Sequence, residues 1–137
     1  MSALPSAQEV AAVAEFRAAL RRFLRTTERN ARAAGLTPQR YLLLLMIKGA
    51  ADGSERSTVT ELAERLQLAQ STVTELVSRA EENGLIERER SAADGRIAYL
   101  RLSSEGERRL AESFTSNESE RRALREAFEH LEGYVLT

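Results

Sequence analysis

The apolar residues between Leu62 and Ala80 constrain the fold more than any other part of the chain. Leu62 and Leu66 are four residues apart, as on one face of a short helix, and the small Ala63 allows another helix to cross closely. Leu68 lies in a brief connection, where we expect its side chain to fill the angle between two helices. Apolar residues then return at helical spacing, at Val73, Leu76, Val77 and Ala80. This spacing predicts a helix-turn-helix.

The hexapeptide STVTEL occurs twice in this region, at residues 57–62 and 71–76. Two copies are too few for a repeat architecture, so each copy takes its role from its surroundings. We expect the first copy to begin as a short extended segment able to pair with a later hairpin, and Thr60 to cap the first short helix. In the second copy, Thr72 and Glu75 have the spacing of a capping box for the second helix.

The turn and the start of the second helix contain mainly polar residues. Gln67 stands where this motif usually has a glycine in the left-handed conformation, so we expect a slightly strained or differently shaped turn. In a helix-turn-helix the first turns of the second helix enter the major groove, where hydroxyls and amides bond to bases or phosphates. Taken alone, Ser71 and Thr72 would be interpreted as ordinary helix caps. In this motif the predicted DNA-binding residues are Gln70, Ser71, Thr72 and Thr74.

A β-hairpin is predicted directly after the second helix. The strand-like segments LIERER and IAYLRLS flank SAADGR, whose Asp-Gly pair is typical of a tight turn. A hairpin in this position is a wing, and an arginine at its tip can enter the minor groove. We expect Arg96 to have this role and Asp94 to orient it. The alternative is an ordinary hairpin turn with a solvated arginine.

The two ends of the chain are predicted to be long amphipathic helices. Residues from about 8 to 34 repeat apolar side chains at helical spacing, and a second helix begins at Thr37 and Pro38 with a nearly all-apolar body. Asn117, followed by Glu120, has the spacing of a cap for the last helix. A chain of 137 residues has few places to bury two terminal stripes, so we predict a homodimer.

Composition excludes several classes of function. The chain has no cysteine and only one histidine, His130, so a thiolate zinc site, a disulfide or a histidine-based metal site is not expected. No cysteine nucleophile, histidine pair or phosphate-binding glycine loop indicates an enzyme, and no cofactor is expected. No apolar run approaches the length of a membrane span, and no secretory signal is visible. We therefore expect a cytoplasmic protein without membrane contact.

The charge of the central segment weighs against DNA binding. The whole chain has a net charge of −1, and residues 57–101 contain six arginines and eight acidic residues. Phosphate binding favours positive surface, so only a few phosphate contacts per subunit are expected. A winged-helix protein-interaction module without specific DNA binding therefore remains an alternative.

The sequence resembles the MarR family of winged helix-turn-helix transcriptional regulators over nearly its whole length. The resemblance rests on LTPQRYLLL, on TVTELAERLQLAQSTVTELVSRAEENGLIERER, on the DGR of the wing and on LRLSSEG after it. It implies a mainly α fold with a small β-hairpin, forming a single domain over residues 1–137. Within it, residues 8–34 and 104–137 would be dimerisation helices, and residues 37–103 a DNA-binding lobe.

The resemblance also implies a function. A homodimer would bind a pseudo-palindromic operator in double-stranded DNA, as a repressor released by a small, often aromatic ligand. It adds Arg79 and Arg88 as candidates for backbone contact or wing bracing, beside Asp94 and Arg96 in the wing. Ligand-binding candidates lie on the first two helices, and their alternative role is plain core or solvated surface; they are Phe16, Arg17, Tyr41 and Met46.

Overall fold

The computed structural model of the chain describes residues 4–135, with side chains up to Gly133; residues 1–3, 136 and 137 of the predicted domain lie outside this range. It is mainly helical with one small antiparallel sheet, which confirms the predicted fold class. In chain order the elements are α1 (Ala7–Ala33), α2 (Pro38–Lys48), β1 (Arg56–Ser57), α3 (Val59–Leu66), α4 (Gln70–Glu82), β2 (Ile86–Arg90), β3 (Ala98–Leu102), α5 (Ser104–Ser116) and α6 (Glu118–Val135).

The chain divides into two compact units. One unit combines the residues up to Asn30 with those from Phe114 onward, and the other is Ala31–Ser113. The second unit therefore holds the helix-turn-helix, the sheet and most of α5. The assignment of residues 37–103 as a DNA-binding lobe, and of the terminal helices to dimerisation, stays a prediction.

Helix α2 is the central core helix of the second unit, as its apolar sequence predicts. Leu43, Leu44 and Ile47 are fully buried, and they join a cluster with α3, α4 and the sheet. The start of α2 is also as predicted, because the Thr37 hydroxyl accepts a hydrogen bond from the Arg40 backbone N–H at 3.1 Å and Pro38 opens the helix.

The sheet has the order β1-β3-β2, and both pairings are antiparallel. Ser57 of β1 lies opposite Leu100 of β3, which confirms that the first copy of the hexapeptide begins as a strand beside the hairpin. Ile86 and Leu102 pair at the base of β2 and β3, and both are buried. The hairpin therefore projects from a base anchored in the core.

Thr58, and not Thr60, caps α3, so the prediction for Thr60 was wrong. The Thr58 hydroxyl accepts a hydrogen bond from the Glu61 N–H at 3.1 Å, and the Glu61 carboxylate accepts one from the Thr58 N–H at 2.9 Å. This is a complete capping box. Because β1 ends at Ser57, Thr58 is the last extended residue and Thr60 already lies within the first helical turn.

The turn between α3 and α4 takes the left-handed conformation although it has no glycine. Gln67 has φ 57° and ψ 45°, so it adopts the left-handed conformation that a glycine usually takes at this position, and the shape of the turn is kept. The prediction that Leu68 fills the angle between the two helices was wrong, because this residue is 37% exposed. Its backbone N–H bonds to the Ala63 carbonyl at 3.1 Å and closes the end of α3. Ala63 and Leu66, which pack in or against the core, already occupy the space between the helices.

In the first unit, α1 and α6 meet through aromatic and amide side chains. The rings of Phe16 and Phe128 lie 6.1 Å apart between centroids, and the Asn30 side chain donates a 2.7 Å hydrogen bond to that of Asn117. Asn117 is fully buried and immediately precedes α6. An internal amide bond of this kind fixes the relative register of the two helices, because a shift would leave buried polar atoms unpaired.

Gly106 is required by close packing inside helix α5. A Cβ atom at this position would collide with the backbone carbonyl of Leu85. We predict that Gly106→Ala lowers the free energy of unfolding by about 1–3 kcal/mol, measured by chemical denaturation. Gly133→Ala is the matched control: this exposed glycine in α6 has open space around it, so alanine should raise stability by about 0.5–1 kcal/mol. Equal effects would contradict the packing explanation.

Candidate nucleic-acid interface

The first turns of α4 expose the four polar residues that the sequence singled out. Gln70, Ser71, Thr72 and Thr74 are all exposed, whereas Val73 between them is fully buried. Val73, Val77 and Ala80 fix the inner face of α4 in the core. The helix therefore has a fixed inner face and a polar outer face.

The predicted capping box of Thr72 and Glu75 is absent from α4. The helix begins at Gln70, its N-cap is Ala69, and Ala69 has no side chain that can cap it. Because α4 starts two residues before Thr72, the Thr72 hydroxyl lies inside the first turn rather than ahead of it. The first N–H groups of α4 consequently have no side-chain cap, and such groups carry partial positive charge that suits an anion.

Of the four polar residues at the start of α4, Gln70 is the one whose side chain makes a hydrogen bond within the described residues. Its side-chain amide donates a 3.3 Å hydrogen bond to the Thr60 hydroxyl, which joins the start of α4 to the first turn of α3. The side chains of Ser71, Thr72 and Thr74 make no hydrogen bond within the described residues 4–135. These three hydroxyls are therefore available to a partner.

Arg79 and Arg88 are both engaged by carboxylates of α4. The Arg79 guanidinium lies 2.7 Å from Glu75 one turn earlier, and both side chains are well exposed. Arg88 of β2 lies 2.9 Å from Glu81, so it connects the hairpin to the end of α4. The Glu81 pair gives Arg88 the geometry of a brace between helix and hairpin.

The hairpin tip is ordered by a pair between Asp94 and Arg96. Both carboxylate oxygens of Asp94 accept hydrogen bonds from the Arg96 guanidinium, at 3.1 and 3.2 Å, and one also accepts the Arg96 backbone N–H at 3.0 Å. The guanidinium and then the backbone N–H hold the pKa of Asp94 below its ordinary value. Arg90 supports the tip from below through a 2.7 Å bond to the Gly95 carbonyl. The Arg96 side chain is 91% exposed.

A groove lies between the start of α3 and the hairpin. It brings Arg88 and Arg96 together with Thr60 and Ile97; its full lining is Thr58, Val59, Thr60, Arg88, Arg96, Ile97 and Ala98. Sequence reasoning missed Thr60 and Ile97 as members of this surface, because Thr60 was assigned to a cap and Ile97 to a plain strand. No local signal identifies them, since the groove depends on the long-range pairing of β1 with β3.

Every arginine between residues 57 and 101 has a partner in the chain. Arg65 donates to the backbone carbonyls of Met46 and Gly49, and Arg101 pairs with Glu89. Just before this segment, Arg56 also pairs with Glu89 and stacks over the Tyr99 ring at 4.2 Å. Much of the positive charge of this unit is therefore balanced by its own acids.

The four ligand-binding candidates are divided between the two units. In the first unit, Phe16 contacts the Phe128 ring and Arg17 is exposed. In the second, Tyr41 is buried in the core and Met46 packs against it. A ligand-binding role for these residues stays a prediction.

Residues 4–135 contain neither a membrane-spanning helix nor a cluster of metal-binding side chains. Among the described residues, no helix is long and apolar enough to cross a membrane. Within the same part of the chain, no three or more acidic or histidine side chains are grouped to hold a metal ion.

A helix-turn-helix followed by a β-hairpin defines a winged helix-turn-helix protein. Residues 34–97 match the model of the MarR family. The HTH-type transcriptional regulator YsmB of Bacillus subtilis (strain 168) is 33% identical over 93 residues, which cover 68% of this chain and 61% of YsmB. The aligned region thus spans less than two thirds of that relative.

Solved structures share the fold. The transcriptional regulator Tm0710 from Thermotoga maritima is 28% identical with a TM-score of 0.61, over 76% of this chain and 73% of that one. A mutant of MarR from E. coli complexed with operator DNA is 18% identical with a TM-score of 0.65, over 79% and 75%. The chain is thus similar to the MarR family of transcriptional regulators in the sequence of residues 34–97 and in its winged-helix fold. Members of the MarR family are non-enzymatic DNA-binding proteins, which agrees with the prediction that the chain is not an enzyme.

The pair at the hairpin tip can be tested through the titration of Asp94. We predict that Arg96→Ala raises the pKa of Asp94 toward the ordinary value of an aspartate, because the guanidinium is the main stabiliser of the ionised form. Carboxyl NMR titration measures this directly. Asp52, whose pKa is lowered by Ser54 in another turn, should titrate as before. An unchanged Asp94 in the variant would show that the pair does not form in solution.

Proposed function

We propose that the chain is a sequence-specific DNA-binding regulator that reads DNA with α4 and the hairpin. The observation that carries this proposal is the exposed, uncapped start of α4, where three hydroxyls have no hydrogen-bond partner among residues 4–135. Short hydroxyl side chains suit base edges and phosphates in the major groove, which is wide enough to admit a helix. The E. coli MarR structure complexed with operator DNA supports a DNA partner by analogy of fold.

The hairpin would contact DNA beside α4. The Arg96 guanidinium is held by Asp94 yet almost fully exposed, so it is preorganised at low entropic cost for a narrow minor groove. Arg79 and Arg88 would contact phosphates or brace the hairpin. Because their carboxylate partners compete with phosphates, we expect modest affinity and a shallow salt dependence from this unit.

The direct test is a mobility shift with the DNA upstream of the protein's own gene, compared with a random-sequence duplex between 50 and 200 mM salt. Specific binding that Arg96→Ala weakens supports the proposal. Failure to prefer any upstream segment at low salt would instead favour the alternative of a protein-interaction module, which the acidic balance of residues 57–101 supports.

The protein would act as a homodimer on a pseudo-palindromic operator. The first unit leaves several large apolar side chains exposed, including Val10, Val13, Leu24 and Phe128. A second copy would bury them, and two copies related by a twofold axis would place two α4 helices on two half-sites.

We further propose that the regulator is a repressor, acting in the cytoplasm, that a small aromatic ligand releases from DNA. Phe16, Arg17, Tyr41 and Met46 supply aromatic, apolar and cationic groups suited to such a ligand. A thermal-shift screen identifies ligands because binding to the native state alone raises its stability. A hit that stabilises the protein without weakening the DNA complex would contradict release.

The two copies of the hexapeptide should differ in what they do. We predict that Thr72→Ala with Thr74→Ala weakens operator binding about tenfold or more, with little change in stability, because both hydroxyls are exposed and unpaired. Thr58→Ala should instead cost about 1 kcal/mol of stability through loss of the capping box and reduce operator affinity much less than the α4 variant does. Mobility shifts and chemical denaturation measure the two effects. Equal weakening of DNA binding by both sets of variants would contradict the different roles assigned to the two copies.

The apolar surface of the first unit should determine the oligomeric state. We predict that Phe128→Glu converts a dimer into a monomer, because it places a charge in an apolar contact. Analytical ultracentrifugation measures the change. Glu129→Gln, beside it on the exposed surface of α6, is the control and should remain dimeric. A wild-type protein that is monomeric at micromolar concentration would overturn the dimer.

A further inference from the structure

Helix α1 carries a basic stripe formed by Arg17, Arg21, Arg22, Arg25 and Arg29. At 3.6 residues per turn these five side chains fall within an arc of about 140° and extend over about 18 Å of helix. All five are exposed. Glu28 is the one acidic residue between Arg17 and Arg29, so this stretch has a net charge of +4.

The side chains of the stripe differ from most other arginines because they have no polar partner in the part of the chain that the structure describes. Within the described residues 4–135, none of the five makes a hydrogen bond, an ion pair or a ring contact. In contrast, eleven arginines between Arg56 and Arg122 are held by carboxylates or backbone carbonyls. These eleven are Arg56, Arg65, Arg79, Arg88, Arg90, Arg96, Arg101, Arg108, Arg109, Arg121 and Arg122.

The stripe is separate from the buried face of the same helix, and the exposed Leu24 lies about 20° outside its arc. Ala12 and Ala19 are buried, and Phe16, Leu20 and Phe23 are half-buried. Between Arg17 and Arg29 the arc of the stripe contains, besides arginine, only Ala18 and Glu28. The five arginines therefore lie outside the buried face of α1, and their side chains make no polar contact with the rest of residues 4–135.

We propose that the basic stripe is a second, sequence-independent contact to the phosphate backbone of double-stranded DNA. This inference rests on the proposed function, since the stripe would supply positive charge that the winged unit lacks. Duplex DNA has one negative charge per about 1.7 Å of its axis, so a length of about 18 Å carries about ten phosphate charges, counted over both strands. Arginine binds phosphate bidentately, and unpaired guanidinium groups do so without first breaking an internal ion pair.

Charge and composition favour DNA over the other polyanionic surface, a membrane. A helix that lies in a membrane interface inserts large apolar side chains beside its basic residues. Within its arc the stripe has only Ala18 for this purpose, and Leu24 beside the arc is the one large exposed apolar side chain between Arg17 and Arg29. The stripe thus has the features of a phosphate contact and lacks those of a lipid anchor.

The test measures binding of the full-length chain to a random-sequence duplex by fluorescence anisotropy at 50–200 mM salt. We expect Arg21→Gln with Arg25→Gln to reduce the slope of log K against log salt by about two units per chain, and to weaken binding at least tenfold at low salt. The matched control is Arg108→Gln with Arg122→Gln, which removes the same charge from two exposed, paired arginines and should leave the slope unchanged. Arg21→Lys with Arg25→Lys should retain most of the wild-type slope, because charge is kept.

The outcomes separate this inference from the proposed function. The inference is wrong if Arg21→Gln with Arg25→Gln keeps the wild-type slope of log K against log salt. It is also wrong if the matched control loses as much of that slope as this variant does. If that variant loses sedimentation with phosphatidylserine vesicles while keeping duplex binding, the partner is a membrane and the inference is wrong. Duplex binding that depends on the stripe, without preference for any operator, would support the stripe and contradict specific recognition by α4.

Discussion

The burial of the inner face of α4 is the interaction on which the candidate interface depends. Val73, Val77 and Ala80 are fully buried together with Leu62 of α3 and Leu100 of β3. Each buried valine or leucine contributes about 1.5–3 kcal/mol, so rotation of α4 about its axis would cost several of these contributions at once. The outer residues therefore need no contacts of their own to be positioned. This is why three hydroxyls can stay unpaired at the start of a fixed helix.

A second constraint joins α4 to the hairpin and to α5. The Ser103 hydroxyl donates to the Gly84 carbonyl at 2.5 Å and accepts from the Gly106 N–H at 3.0 Å, while the Ser103 N–H bonds to Leu85 at 2.9 Å. Gly106 lies so close to Leu85 that any side chain would collide. The end of α4, the start of β2 and the start of α5 thus share one junction. This junction fixes the direction in which the hairpin leaves the core. The ion pair between Arg88 and Glu81 is a second link between the hairpin and α4.

Local patterns in the sequence predicted the elements, while long-range pairings decided their details. Helical spacing identified α3 and α4, and the Asp-Gly turn identified the hairpin. The caps of the two copies of STVTEL were assigned two and three residues too late. The strand pairing of Ser57 with Leu100 sets where α3 begins, and α4 starts at Gln70 after the N-cap Ala69, without a side-chain cap. Leu68 was misplaced since the left-handed Gln67 closes α3 through the backbone. The partners of Arg56 and Arg88 were not predictable, because they lie on other elements.

The distribution of arginine explains how a chain with a net charge of −1 can still suit a polyanion. In the winged unit, arginines serve structure: they connect strands, cap helix ends and order the hairpin tip, and each acid that holds one reduces the charge open to a partner. Helix α1 uses the same residue type differently, because its basic face has almost no acids to neutralise it. The low net charge of the chain is therefore the sum of a winged unit whose arginines are paired with acids and a helix α1 whose basic face is not neutralised. Specificity and electrostatic attraction need not come from the same surface, since base contacts require fixed neutral groups and phosphate contacts require free positive charge.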